Sequence, residues 1–205
     1  MLAVPIAAVA LLAAASGARA ADTLVLPRAG QVGIGVQPEF GSVLSSGDLG
    51  EEFGSGPGIA VRLRYRMRFE RAMGLSFEAH SLDAREPSGR AGAFDALTDN
   101  SLRDRLQLLT AGFEFYQMFD TRERTTKMLS AGVGLAQMSA HLTNGDTQYP
   151  IGGDGVYLSA GAGLERFVFR SLAWDLSTRY FAIFHDGTVN HDLQISLGMI
   201  FYAAY

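Results

Sequence analysis

Four arginines at alternate positions of one short stretch are the most distinctive chemical feature of this chain. The stretch runs from Ile59 to Phe69, and every odd position in it is apolar. Side chains of a β-strand alternate between two faces, whereas a helix would spread both sets around its circumference. We therefore predict a strand with one apolar face and one cationic face, whose guanidinium groups suit carboxylate partners. The arginines are Arg62, Arg64, Arg66 and Arg68.

Acidic residues occupy the matching face of other alternating segments, where they could pair with these arginines. With Arg179 as a fifth cation, the predicted charge network contains Glu39, Glu78, Glu114, Glu165 and Asp175. An unpaired charge enclosed by the fold costs several kcal/mol, so the near balance of signs favours ion pairing. Glycine recurs on the same face and leaves room for large side chains.

Two contacts of this network follow from the predicted pairing of neighbouring strands. We expect Arg62 to reach Glu39, and we expect Glu78 to contact Arg64 or Arg66, because a turn centred on residue 71 would place Glu78 opposite Arg64.

The pairing of two later segments can be predicted in the same way. A turn centred on Arg170 would place Glu165 opposite Asp175, and Gly161 opposite Arg179. Two facing carboxylates would need an arginine that reaches across the interior.

Histidine offers a second kind of chemistry, at His185-Asp186 and His191-Asp192. These pairs flank one predicted connection and could bind a metal or exchange protons. The sequence places no third ligand beside them, so we interpret them as residues of a solvated loop. We predict no catalytic residue, no metal and no cofactor.

Length and composition restrict the class of protein. The chain has 205 residues, which suits one domain, and a formal net charge of -4 gives no basic footprint for nucleic acid. It has no cysteine, which excludes a thiolate metal site, a catalytic thiol and a disulfide.

The first 20 residues predict a cleavable signal peptide. An alanine-rich apolar run is followed by Ala18-Arg19-Ala20, a small-x-small cleavage site. A membrane anchor is the alternative interpretation of this run. We predict a signal peptide over residues 1–20 and one β-barrel domain over residues 21–205.

The rest of the chain contains eight alternating segments, and most are near the roughly 9–11 residues that a tilted strand needs to cross a bilayer. The predicted strands are 31–40, 59–69, 73–82, 105–119, 127–140, 155–169, 172–184 and 191–205. Short turns alternate with longer polar connections. The longer connections are predicted at residues 41–58, 83–104, 141–154 and 185–190.

This alternation favours an all-β fold, an eight-stranded antiparallel up-and-down transmembrane β-barrel with its longer loops outside the cell. A soluble, lipocalin-like carrier is the alternative, and it would turn the apolar faces inward and the arginines to water. If the barrel lies in a membrane, each arginine on its lipid face would destabilise the fold by about 2–4 kcal/mol near the bilayer midplane. We therefore expect the arginines to face the barrel interior.

The chain resembles the small eight-stranded outer-membrane barrels of the OmpA transmembrane-domain and OmpX-like type, the outer membrane protein beta-barrel domain family. The resemblance is carried by Leu109–Tyr116, by Ser159–Phe167 and by the final alternating strand, residues 193–205. It implies the outer membrane of a Gram-negative-type bacterium, with outer-membrane lipids and lipopolysaccharide around the barrel. Interfacial aromatic residues are expected at Phe69, Phe115, Trp174 and Tyr205.

The final strand also resembles the signal that the barrel-assembly machinery reads. It has apolar residues at every second position and an aromatic last residue, although phenylalanine is commoner than tyrosine there. The residues of this assembly signal are Leu197, Gly198, Met199, Phe201, Ala203 and Tyr205.

Fold alone does not supply an activity, so several functions remain as hypotheses. The first is a structural or surface-interaction protein whose loops meet an unknown extracellular partner. The second is a narrow pore or transporter for small or apolar solutes, which the crowded lumen disfavours. The third is a lipid A-modifying enzyme, for which only His191 and Ser196 near the rim offer suitable groups. We predict that the protein is not an enzyme.

Overall fold

The computed structural model describes residues 29–44, 53–83, 105–144 and 147–203, and these ranges form eight β-strands. Each strand follows from the alternation of apolar and polar or small residues, because its two faces meet different surroundings. The strands are β1 (Val32–Val43), β2 (Ser55–Arg68), β3 (Arg71–Asp83), β4 (Arg105–Phe119), β5 (Thr125–Asn144), β6 (Thr147–Phe169), β7 (Leu172–His185) and β8 (Thr188–Tyr202).

Each strand pairs with its neighbours in the chain, and β1 pairs antiparallel with β8, so the sheet closes into a barrel. Because the barrel is closed, no strand has an unpaired edge over the paired length, and the backbone N–H and C=O groups there form hydrogen bonds within the sheet. The predicted all-β, eight-stranded antiparallel up-and-down barrel is therefore confirmed. None of the described ranges contains a helix that is long and apolar enough to cross a membrane.

The two ends of the barrel differ in their connections. We call the end with the β2–β3, β4–β5 and β6–β7 connections the turn end, and the opposite end the loop end. At the turn end the chain reverses within residues 69–70, 120–124 and 170–171. At the loop end the connections span residues 44–54 and 84–104, and two shorter reversals follow.

Strands at the loop end are longer than predicted, so the connections are shorter than the ranges expected from the sequence. Residues 41–43 and 55–58 belong to β1 and β2, and residue 83 belongs to β3. Residues 45–52 and 84–104 of the predicted loops lie outside the described residues, as do residues 1–28 with the predicted signal peptide.

The largest departure is at β5 and β6, which have 20 and 23 residues. Backbone pairing runs from Thr125↔Arg166 to Asn144↔Thr147, so most of the predicted loop 141–154 is strand. Its glycines, Pro150 and Asp154 are typical of loops. Two strands can nevertheless continue to pair with each other where the other edge of each strand is exposed to water.

The predicted connection 185–190 is instead a tight turn between β7 and β8. Asp186 and Gly187 have φ values of 46° and 79°, the left-handed values that a two-residue type I′ hairpin requires. Asp-Gly is the dipeptide that favours such a turn. His185 and residues 188–190 are therefore in strands.

The exterior of the barrel is apolar and the interior is polar. Leu63, Leu135 and Leu197 all lie on the outer face, where Leu135 is 66% exposed. Arg62, Arg64 and Arg66 are among the largest fully buried side chains. This arrangement is the reverse of a soluble barrel, and it suits a hydrocarbon solvent.

Candidate functional site: the charged barrel interior

Arg62 connects three strands near the middle of the interior. The pleat of β2 turns the Arg62 side chain inward, where its Nη2 donates to Glu39 Oε1 of β1 at 2.5 Å and lies 3.7 Å from Glu78 Oε1 of β3. Its Nη1 donates to Ser177 Oγ of β7 at 3.0 Å. The expected Arg62–Glu39 contact is therefore present in the structure.

Arg64 and Arg66 lie nearer the turn end and share one carboxylate. Arg64 donates to Glu165 Oε2 at 2.5 Å and to Asp175 Oδ2 at 3.2 Å. Arg66 donates to the other oxygen of Glu165. The Arg64 guanidinium also lies 4.2 Å from the centre of the Tyr116 ring, which adds a cation–π contact.

Arg179 of β7 neutralises the two remaining acids of the predicted network. It donates to Glu114 and to Glu78, and it lies 3.6 Å from Glu39 Oε1. Gly161 stands directly opposite on β6. A Cβ at position 161 would lie 2.6 Å from Arg179 Cγ, so glycine provides the room for this side chain.

Two expectations about individual arginines are wrong. Glu78 contacts Arg179 and Arg62, not Arg64 or Arg66. The reason is the register: away from the shift between residues 66 and 68, the β2–β3 pairing is centred on residue 69, so Arg64 pairs with Gly74.

Arg68 is the second departure. A register shift between residues 66 and 68 interrupts the alternation, and Arg68 is exposed, opposite Arg71. A bulge re-aims the side chain that follows it, so strict alternation misplaced Arg68 in the interior.

The β6–β7 register is the one predicted, with Glu165 opposite Asp175 and Gly161 opposite Arg179. Arg64 lies within 3.2 Å of both facing carboxylates, so its positive charge offsets their repulsion. A register shift between residues 167 and 169 lies on the turn side of these positions, and from Phe167↔Ala173 onward the pairing is centred on residue 170, as predicted.

Two buried interior groups, His80 and Asp192, are not part of the predicted network although they share its strand parity. His80 Nε2 lies 3.0 Å from Glu39 Oε2, and Asp192 Oδ2 accepts a hydrogen bond from Gln194 at 2.8 Å. Including Asp192, the described residues place six carboxylates and four arginines in the interior. Strand parity was the signal that could have found both.

Glu39, Glu78 and His80 offer three ligand atoms within 4.8 Å of one another, which is a spacing that a metal ion could use. Both carboxylates already accept hydrogen bonds from arginine. A divalent cation at this point would have to displace a guanidinium, so the geometry favours the ion pairs.

The histidines at the loop end do not form the site considered from sequence. His191 accepts or donates a hydrogen bond with Tyr180 on the outer face, and His185 Nε2 lies 3.3 Å from Asp186. Ser196 points inward, 2.7 Å from Ser177 Oγ. Ser196 and His191 therefore lie on opposite faces of β8 and cannot form a nucleophile–base pair.

Buried apolar clusters lie on both sides of the charged layer. The cluster toward the loop end consists of Val43, Phe53, Leu82, Leu106, Leu108, Ala136, Met138, Ala140, Tyr157, Phe181 and Ile183. Those toward the turn end consist of Ala72, Tyr116, Met118 and Met128, and of Phe167, Ala173, Ile200 and Tyr202. They fill the lumen beyond the ions.

A closed eight-stranded barrel with an apolar outer face and an ion-paired interior is the architecture of an integral outer-membrane barrel. The model of the outer membrane protein beta-barrel domain family matches residues 6–201. The chain belongs to this family, whose barrels reside in the outer membrane among its lipids and lipopolysaccharide. No curated protein sequence matches the chain significantly.

Solved structures share the fold at low sequence identity. Neisserial surface protein A is 18% identical with a TM-score of 0.58, and the alignment covers 84% of this chain and 98% of that one. OprG from Pseudomonas aeruginosa is 13% identical with a TM-score of 0.58, covering 89% and 100%. A major outer membrane protein from Thermus thermophilus is 12% identical with a TM-score of 0.57, covering 84% and 99%.

Proposed function

We propose that this chain is a non-conducting outer-membrane barrel with a structural or surface-interaction role. The observation that carries the proposal is the filling of the lumen along its length. Four arginines and their carboxylate partners occupy the middle, and apolar clusters close the space on both sides. A solute pathway would require several buried ion pairs to separate, and each such separation is costly.

The interior network is the structural part of this proposal. Its ion pairs connect strands that are remote in the chain, as Arg64 of β2 does with Glu165 of β6 and Asp175 of β7. A charge without its partner in this space would be strongly unfavourable. The ten predicted network residues, Arg68 excepted, therefore act together to define one packing of the interior.

The β5–β6 hairpin supports the surface-interaction part. Pairing of β6 with β7 ends at Val156, whereas β6 begins at Thr147, so nine residues of β6 continue beyond their β7 partners. At about 3.3 Å per residue this segment is roughly 30 Å long. It offers a surface on the cell exterior for a partner.

We also propose that the protein is not an enzyme. The groups considered for lipid A modification, Ser196 and His191, are on opposite faces of β8. The predicted signal peptide and recognition of β8 by the barrel-assembly machinery belong to the same proposal, since a barrel must cross the inner membrane and insert to reach its location.

Planar-bilayer recording of the purified, folded protein tests the proposal. We expect no steady channel openings under applied voltage, while a pore-forming barrel reconstituted in the same way conducts. Steady openings would replace this proposal with a narrow pore. Mass spectrometry of lipid A from cells with and without the protein should show no difference, and a changed acylation pattern would instead indicate an enzyme.

A further inference from the structure

Two arginines face each other on the outside of the barrel at the turn end. The bulge of β2 turns Arg68 outward, where it pairs across the ladder with Arg71, and both are exposed. Like charges at directly opposite positions destabilise a sheet unless an anion lies near them. Two other exposed cations do have acidic partners: Lys127 Nζ lies 2.8 Å from Asp120, and Arg105 Nε lies 3.0 Å from Asp83.

Arg68 and Arg71 form no ion pair with any residue of the described ranges, although Glu70 stands between them in the chain. Their charges are therefore available to a ligand. Arg166 and Arg170, which are also exposed at the turn end, lie on the opposite side of the barrel and add only to the overall positive potential of this end.

An apolar groove of about 370 Å³ is lined at one end by Arg71, the partner of Arg68 in the ladder, and continues along the outer face of β4 and β5. Arg71 and Gln117, which are opposite each other in the β3–β4 ladder, lie at one end of the groove. Its apolar lining comes from Met67, Phe115 and Leu129 over the small residue Ala131. Its volume is within the range of small-molecule sites.

We propose that Arg68, Arg71 and this groove form a binding site for a phospholipid with an anionic headgroup. The two guanidinium groups would bind phosphate oxygens, for which their planar donor geometry is suited. The Gln117 amide adds a neutral donor. One acyl chain would lie along Met67, Phe115 and Leu129. Because the turn end faces the periplasm in this family, the lipid belongs to the inner leaflet of the outer membrane.

Native mass spectrometry of the folded full chain in detergent tests this site, with phosphatidylglycerol, phosphatidylethanolamine and lipid A added in separate samples. We expect phosphatidylglycerol to be retained most strongly. The double variant Arg68→Gln with Arg71→Gln should bind it more than about tenfold more weakly, because each basic residue at an anionic lipid surface contributes roughly fivefold in affinity. The matched control is Arg122→Gln with Arg170→Gln, which removes two exposed turn-end arginines outside the groove.

A second variant tests the groove without altering any charge. Ala131→Trp fills the groove, and we expect it to weaken retention of long-chain phosphatidylglycerol while a two-carbon-chain analogue is retained as in the unaltered protein. Each variant is first shown to be folded by its heat-dependent gel mobility.

Three outcomes would overturn the proposal: equal retention of phosphatidylethanolamine, preferential retention of lipid A, or equal losses in the two arginine double variants. The last would indicate diffuse charge at the turn end. None of these outcomes bears on conductance, so the proposed function stands or fails separately.

Discussion

Buried carboxylates inside the barrel are held by arginines from other strands, and Arg64 illustrates how. It lies between Glu165 of β6 and Asp175 of β7, which are directly opposite each other in the ladder. Facing carboxylates repel, so the guanidinium from β2 is what allows both to remain buried. A side chain on one strand thereby stabilises the pairing of two strands across the lumen.

Replacing Arg64 with alanine should therefore destabilise the barrel. The change leaves two buried carboxylates without their cation, and we expect a loss of about 3–5 kcal/mol in the free energy of unfolding. Urea titration monitored by the fluorescence of Trp174, the single tryptophan, measures this loss. The heat-dependent gel shift of the variant should weaken in parallel.

The matched control is Arg68→Ala, which removes the same side chain from the same strand at an exposed position. We expect no decrease in the urea midpoint for this variant, since the change breaks no ion pair and relieves the repulsion between Arg68 and Arg71. Similar midpoints for both variants would contradict the structural role of the interior network.

At the scale of a single strand, β8 shows how one alternating pattern serves two environments. Leu197 and Phe201 face outward and are more than half exposed, whereas Gln194 and Ser196 are buried inside. A strand of a soluble barrel would carry the same alternation with the faces exchanged. The environment of each face, rather than the pattern, distinguishes the two kinds of barrel.

The variant Leu197→Arg tests this assignment of faces. On a lipid-facing surface near the midplane, arginine costs about 2–4 kcal/mol, and the cost falls toward the interfaces. We expect such a loss for Leu197→Arg in phospholipid vesicles, and a smaller one for Val189→Arg, which lies on the same strand near the loop end. Equally small effects at both positions would be inconsistent with a lipid-facing exterior.

The assembly signal can be tested on the same strand. Leu197, Met199 and Phe201 form its outward row, Gly198 is buried and Ala203 is exposed, while Tyr205 lies outside the described residues. We expect Phe201→Ser combined with deletion of Tyr205 to lower the amount of protein in the outer membrane severalfold. Refolding of the purified variant into detergent should be unaffected, because recognition by the assembly machinery is absent there.

Phe169→Ser is the control for this assembly prediction, since Phe169 is a comparably exposed aromatic residue near the turn end, on β6. Its level in the outer membrane should remain close to normal. If the Phe169→Ser variant and the β8 variant decreased equally in the outer membrane, the cause would be the loss of an interfacial aromatic residue and not the loss of a C-terminal signal.

The whole molecule has two chemically different ends, which defines its orientation in the membrane. The loop end extends through the β5–β6 hairpin, and the turn end is compact and basic. In this family, longer loops face the exterior and short turns face the periplasm. The hairpin is then the part of the chain that a partner outside the cell would meet.

Cysteine labelling can test this orientation, because the chain has no cysteine of its own. A membrane-impermeant maleimide should label Asp154→Cys on intact cells. It should label Glu123→Cys, an exposed position at the turn end, only after the outer membrane is disrupted. The reverse pattern would show that the barrel is inserted in the opposite direction.

Much of this barrel could be predicted from local alternation alone. Strand β4 has the predicted bounds, and the interior parity of Arg62, Glu39 and Asp175 agrees with the structure. Such features depend only on the period of two in a strand. The extension of β5 and β6 does not follow from local sequence, because Gly, Pro and Asp there are typical of loops. It depends on hydrogen bonds between the two strands, which neither segment shows by itself.

The sequence by itself determined the number of strands, the order of their pairing and which residues share a face, since these follow from periodicity and chain connectivity. Only the tertiary structure decided which acid each arginine binds, that Arg68 turns outward, and that apolar clusters close both sides of the charged layer. These features depend on the stagger of strands around the closed barrel, where a shift of one residue exchanges every partner across the lumen.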